Sequence, residues 1–199
     1  MSNHLNPEKR IKRQLVKYGK RIAQAGFVIG SGGNISLRYK NLVFLKARGV
    51  DMSQAQEDDY VFIDLKKGVA KNKSCILSSE YRMHILCYRV RPDIGAVIHV
   101  HPVFCVAVSG KIKILESQEY EYSVYARGST RVIPYLKPGS LALAKAISSA
   151  IKKEEAVILR NHGLVCVGRS LEEAYIRCQA IERASLIYIL RGVIRGNRF

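Results

Sequence analysis

Apolar residues recur at Ile11, Leu15, Tyr18 and Ile22, three or four positions apart, in the stretch from Asn6 to Gly26. That period predicts an amphipathic helix, with Asn6 able to cap it, Pro7 in its first turn and Gly26 as its stop. The pattern then changes: "SGGNISLRY" and "LVFLKA" read as strands joined by a turn near Lys40 and Asn41, and "YVFIDLKKG" reads as a third strand. "SSEYRMHILCYRVRPD" returns to helical spacing, capped by Ser78 or Ser79 and ended ahead of Pro92, since a proline drives the preceding residue out of the helical region. "GAVIHVHP" is a strand, residues 103–109 a short helix, and 111–137 strand and loop. "PGSLALAKAISSAIKKE" is a helix with Pro138 near its start, and "AVILRNHGLVCVG" is a pair of strands turning at 161–163, with Gly163 supplying the turn. "SLEEAYIRCQAIERASLIYILRG" closes the chain as a long helix, with Ser170 and Glu173 as a capping box. Helices alternating with hairpin-like strands predict a single-domain α/β fold, a mainly antiparallel central sheet covered by helices on both faces.

Composition narrows the setting. The 199 residues carry no repeats, low-complexity tracts or proline-rich linkers, so one domain is expected over 1–199. The absence of any run of 18 uncharged apolar residues argues against a membrane span, and the charged N-terminus lacks an apolar signal core. Five cysteines (Cys75, Cys87, Cys105, Cys166 and Cys178), an odd number with no CxxC pair, read as buried thiols in a reducing, cytoplasmic setting. The formal charge of +17 attracts anions. Because the basic residues are spread over several segments, with no RNA-binding aromatic signature and no zinc finger, they read first as a solvated surface. Steering of phosphorylated ligands comes second, and nucleic acid third.

The chemistry starts at residues 95–104, "GAVIHVHPVF". Side chains alternate along a strand, so His99 and His101 project to the same side, about 6–7 Å apart along the backbone, and can converge on one metal ion. The alternative is a pair of core histidines, each with its own partners. His162, in the turn "RNHGL", and Glu80, at the start of a helix, extend the set to three histidines and a carboxylate from three segments, matching a tetrahedral zinc site. Read alone, Glu80 is simply a favourable charge at a positive helix end. His84 is assigned to the core or to supporting a ligand, and His4 to the chain end. Around these lie three loops suited to a small anion. "GSGGNIS" exposes backbone N–H groups beside Asn34 and Ser36, "KARG" adds Lys46, Arg48 and Gly49, and "LSSE" offers two hydroxyls next to Glu80.

"GSGGNIS", "SSE", "AVIHVHP" and "LRNHGL", in this order and spacing, resemble the class II aldolase/adducin family over roughly residues 10–190, and within it the aldolases that split a ketose 1-phosphate of the L-fuculose 1-phosphate kind. The resemblance implies a divalent metal, zinc first, held by His99, His101, His162 and Glu80. It implies Glu80 as acid/base, phosphate binding at Gly33, Asn34, Gly49, Ser78 and Ser79, and a homotetramer with active sites between subunits. Tyr120 falls where these aldolases place a catalytic tyrosine that reaches into a neighbouring subunit. Arg48 stands where Thr or Ser is usual and offers a bidentate phosphate contact. The runner-up is a methylthioribulose-1-phosphate dehydratase, with Glu119 of "SQEY" as acid/base, and epimerases and decarboxylases of the family come after it. From other classes come a Schiff-base aldolase using a desolvated lysine, a non-catalytic adducin-like scaffold, and a basic nucleic-acid binder.

Overall fold

The computed structural model describes residues 6–70, 76–194 and 196. The first helix, α1 (Pro7–Gln24), buries Ile11, Leu15, Tyr18 and Ile22, and the Asn6 side chain accepts from Glu8 N–H as its cap. β1 (Asn34–Tyr39) and β2 (Leu42–Lys46) form a hairpin through Lys40, at φ 53°, and β3 (Tyr60–Asp64) pairs with β2. Next come α2 (Tyr81–Val90), β4 (Ala96–Val100) and α3 (Val103–Ser109). β5 (Ile114–Glu116), α4 (Tyr120–Ala126) and β6 (Ser129–Ile133) follow, then α5 (Leu141–Ile151), β7 (Ala156–Leu159), β8 (Gly163–Gly168) and α6 (Leu171–Ile194).

The strands make one eight-stranded sheet in the order β3-β2-β1-β4-β8-β7-β6-β5. Every neighbouring pair is antiparallel except β6 and β7, which run parallel because α5 crosses between them. Strand alternation splits the core in two. Ile35, Phe44, Ile98 and Leu164 pack toward α1, α3, α4 and α6, whereas Val43, Val97 and Val165 pack toward α2 and α5. The α/β fold with helices on both faces is therefore as the hydrophobic pattern predicts.

Several local expectations need correction. Residues 120–126 form a helix where strand and loop were expected; only Tyr122 and Ala126 of it are buried, one helical turn apart. The residue at the start of α2 is Glu80, not Ser78 or Ser79; Ser78 Oγ instead accepts from Glu80 N–H at 3.2 Å. In the β7–β8 turn the left-handed position is Asn161, at φ 53°, and not Gly163. Gly163 is required by space: a Cβ there would stand 2.3 Å from Val100 O and 2.8 Å from His101 Cδ2. The capping box of α6 is half formed. Ser170 Oγ accepts from Glu173 N–H, but the Glu173 carboxylate returns to Arg169 N–H. Cys87, Cys105, Cys166 and Cys178 are buried free thiols; Cys75 and His4 lie outside the described residues. None of the helices described is long and apolar enough to cross a membrane.

Candidate metal centre and anion pocket

One end of the sheet gathers the start of β1, the ends of β2 and β4 and the β7–β8 turn, because antiparallel neighbours place opposite termini side by side. There His99, His101 and His162 meet. Their ring centroids are 4.9, 4.9 and 5.3 Å apart, and one nitrogen of each lies within 4.8 Å of the others. His99, next to the end of β4, pairs with Asn34 of β1 and Val165 of β8. His101 lies just past the strand, anchored where its N–H donates to Phe27 O at 2.8 Å. Pro102, which follows, has no side-chain group to cap α3. The Glu182 carboxylate of α6 takes that place, accepting from Phe104 N–H and Cys105 N–H at 3.0 and 2.8 Å.

The donor chemistry fits a divalent cation. His99 Nδ1–H donates to Leu164 O at 3.1 Å, which leaves Nε2 bare and pointed at His101 Nε2, 3.2 Å away. Such a backbone tether is how ligating imidazoles are oriented. His162 Nδ1 is buried with no hydrogen-bond partner among the described residues. A buried polar atom left without a partner costs free energy unless an ion or water meets it. Tyr60 Oη likewise has no partner among the described residues, but it packs against Gly19 of α1. Burial, followed by the neighbouring imidazoles, pushes His99 well below the usual histidine range and His101 down to about 4; burial also lowers His162. All three shifts favour the neutral form, the form in which imidazole binds metal.

A cavity of about 280 Å³ opens over the histidines. Its walls are residues 31–34, 46–49 and 78–80, with Pro138 at the rim. Gly33, Asn34, Lys46, Arg48, Gly49, Ser78 and Ser79 all line it, whereas Ser36, also expected near the anion, is buried with its hydroxyl on His84 and Tyr88. Gly33 sits at φ 63°, where a Cβ would collide with Val28 Cγ1 at 2.6 Å and His99 O at 2.7 Å, so the loop passes close against the histidine strand. Gly49, at φ 77°, has open space in front of it, and Arg48 is exposed. Glu80 lines the same cavity, 8% exposed, with one carboxylate oxygen accepting from Gly139 N–H at 2.8 Å. Burial raises its pKa and the Gly139 bond partly offsets this. Among the described residues the ligand atoms that converge are those of the three imidazoles; Glu80, expected as a fourth ligand, lines the same cavity without joining that group, one of its oxygens being taken by Gly139 N–H.

Tyr120 and Glu119 are placed elsewhere. Tyr120 is 76% exposed at the start of α4 and does not line the cavity. Glu119 caps α4 by accepting from Tyr122 N–H at 2.8 Å and pairs with Arg183 at 3.1 Å.

His84, expected in the core or in support of a ligand, is buried and supports Asn34; the partners in this network were not expected from the sequence. Asn34 Oδ1 is hydrogen-bonded to His84 Nε2, and His84 Nδ1 to Ser36 Oγ at 2.7 Å, which in turn contacts Tyr88 Oη at 2.8 Å. His84 is fully buried and its pKa falls to about 3 through desolvation, so it is neutral. With Nε2–H donating, Asn34 spends its carbonyl on His84 and keeps its amide N–H groups for the cavity. The signal available was His84, four residues after Glu80 on the same helix. Gly139, 59 residues from Glu80, gave no local signal.

Known proteins agree with this architecture. The family model described as "Class II Aldolase and Adducin N-terminal domain" matches residues 13–189. An L-fuculose phosphate aldolase of Methanococcus maripaludis is 33% identical over 168 residues, 84% of this chain and 90% of that protein. One from Methanocaldococcus jannaschii is 32% identical over 184 residues, 92% of this chain and 98% of that protein. A solved L-fuculose 1-phosphate aldolase superimposes with a TM-score of 0.87 at 28% identity, covering 98% of this chain and 91% of its own. The chain belongs to the class II aldolase and adducin N-terminal domain family.

Proposed function

We propose that this protein is a metal-dependent sugar-phosphate aldolase. It cleaves a ketose 1-phosphate of the L-fuculose 1-phosphate kind reversibly into dihydroxyacetone phosphate and an aldehyde. The observation that carries the reading is the meeting, in one cavity, of three imidazoles, a buried carboxylate and two glycine-bearing loops. His99, His101 and His162 would hold the metal, with Glu80 as a fourth ligand that substrate can displace. Zinc suits this donor set first, with cobalt, iron and manganese as alternatives. When bound, the cation supplies Lewis-acid stabilisation of the negative charge that develops as the C3–C4 bond breaks.

The chain's own residues supply the rest. Gly33, Asn34, Gly49, Ser78 and Ser79 bind the phosphate through N–H and hydroxyl donors, and Arg48 adds a guanidinium at the mouth. Glu80, already desolvated, moves the proton at C1 of dihydroxyacetone phosphate. Tyr120, exposed at the head of α4, serves the C4 oxygen in a neighbouring subunit of a homotetramer. The apolar residues left exposed on α4 and at the end of α6, among them Val124, Val193 and Ile194, support such an assembly. The engagement of Glu119 as cap and ion pair supports the aldolase over the dehydratase.

The test is incubation of metal-loaded protein with dihydroxyacetone phosphate and a panel of short aldehydes, with product identification. A ketose 1-phosphate is expected from at least one aldehyde. Failure across the panel, with turnover of methylthioribulose 1-phosphate, would contradict the reading and favour the dehydratase.

A further inference from the structure

Lysine in a strand ordinarily sends its amine to solvent. Lys46, the last residue of β2, is instead 2% exposed, and it forms part of the cavity wall. Its Nζ donates to Ser31 O at 3.0 Å and to Val50 O at 2.6 Å. Both acceptors are neutral backbone carbonyls, one in each glycine-bearing loop that borders the cavity. The carboxylates of Asp51 and Asp59 act on the ammonium only as longer-range charges. A buried cation is costly unless a counter-charge meets it. Two carbonyls solvate this one, and the anion-suited side of the site is the cavity it borders.

We propose that Lys46 is a positioning residue of the anion pocket, bracing the 30–33 and 47–50 loops together while supplying a fixed positive charge to the phosphate group of the substrate. This deepens the sugar-phosphate reading and rests on it. The brace explains why two flexible, glycine-containing loops keep their N–H groups on one concave surface. The charge explains why a lysine stands where any apolar residue would fill the same buried position. Its hydrogen bonds also keep the amine a donor, which speaks against use of Lys46 as an imine-forming nucleophile. Burial lowers its pKa to about 8, so most of the charge is present near neutrality and it is lost in mild alkali.

Besides Asp51 and Asp59, the charged and titratable groups bordering the cavity are Glu80, the three imidazoles and the Arg48 guanidinium. All are retained in a Lys46→Met variant, so a pH response missing from that variant belongs to Lys46. The probe is inorganic phosphate, titrated calorimetrically against metal-loaded protein from pH 7.5 to 9.5, with affinities referred to the dianion, which is the major form of the probe throughout. The unmodified protein is expected to lose about tenfold in affinity across that range, as one nearby charge is removed. Lys46→Met is expected to bind about tenfold more weakly at pH 7.5, with a flat profile and unchanged metal content. An Arg48→Ala control is expected to weaken binding while keeping the slope. Lys46→Met that binds like the unmodified protein, or keeps its pH slope, overturns the assignment. Should that variant not fold, a flat profile in the unmodified protein overturns it equally. Absence of any phosphate binding by the unmodified protein overturns the sugar-phosphate reading itself, and with it this one.

Discussion

His162→Ala is expected to lower ketose 1-phosphate cleavage on the order of 10³-fold, because Lewis-acid stabilisation contributes several kcal/mol to such a step. The substitution should not unfold the protein. His162 Nδ1 makes no hydrogen bond among the described residues, so its removal breaks none there and takes away a buried atom without a partner. The two effects separate in one pair of measurements. Thermal melts of the metal-free proteins are expected to coincide within a few degrees. Added zinc should then raise the melting temperature of the unmodified protein by mass action and leave the variant's almost unchanged. Full activity in His162→Ala, or an undiminished zinc-induced shift, would remove His162 from the metal centre.

Glu80→Gln should separate proton transfer from binding. The glutamine carbonyl can still accept from Gly139 N–H, so the start of α2 and the rim near Pro138 keep their connection. Loss of a desolvated charge carries no stability penalty of its own, since burial already disfavours the carboxylate. What disappears is the base. Exchange of the C1 proton of dihydroxyacetone phosphate with deuterated solvent is expected to fall about 10²–10⁴-fold, the usual weight of a general acid/base. Affinity for inorganic phosphate should stay within about twofold, because the anion loops are intact. Exchange at the unmodified rate would reject Glu80 as the base, and a parallel collapse of phosphate affinity would mean that its role is structural.

Much of this site was legible because its chemistry is local in sequence. Alternation on one strand puts His99 and His101 on one side, and the turn carrying His162 faces them because β8 pairs with β4. The α1 stripe of Ile11, Leu15, Tyr18 and Ile22 announced the first helix just as plainly. What sequence reasoning did not reach depends on tertiary placement. The α4 segment, "YEYSVYA", mixes aromatic and β-branched residues and buries only one edge, so its period is faint. Asn161 rather than Gly163 takes the left-handed turn position, because the glycine is consumed by its approach to Val100 and His101. Lys46 was legible as a neighbour of the anion loops, but not its burial, which comes from the two loops whose carbonyls its amine meets. Gly139, which holds Glu80, comes from a distant loop that no spacing rule connects to it.

X-ray absorption at the metal edge of the purified protein reads directly which atoms surround the ion that His99, His101 and His162 would hold. One divalent ion per chain is expected, with three imidazole nitrogens at about 2.0–2.1 Å and an oxygen completing the shell. A shell containing sulfur, an all-oxygen shell, or a protein that retains no divalent ion after incubation with zinc would contradict that metal centre.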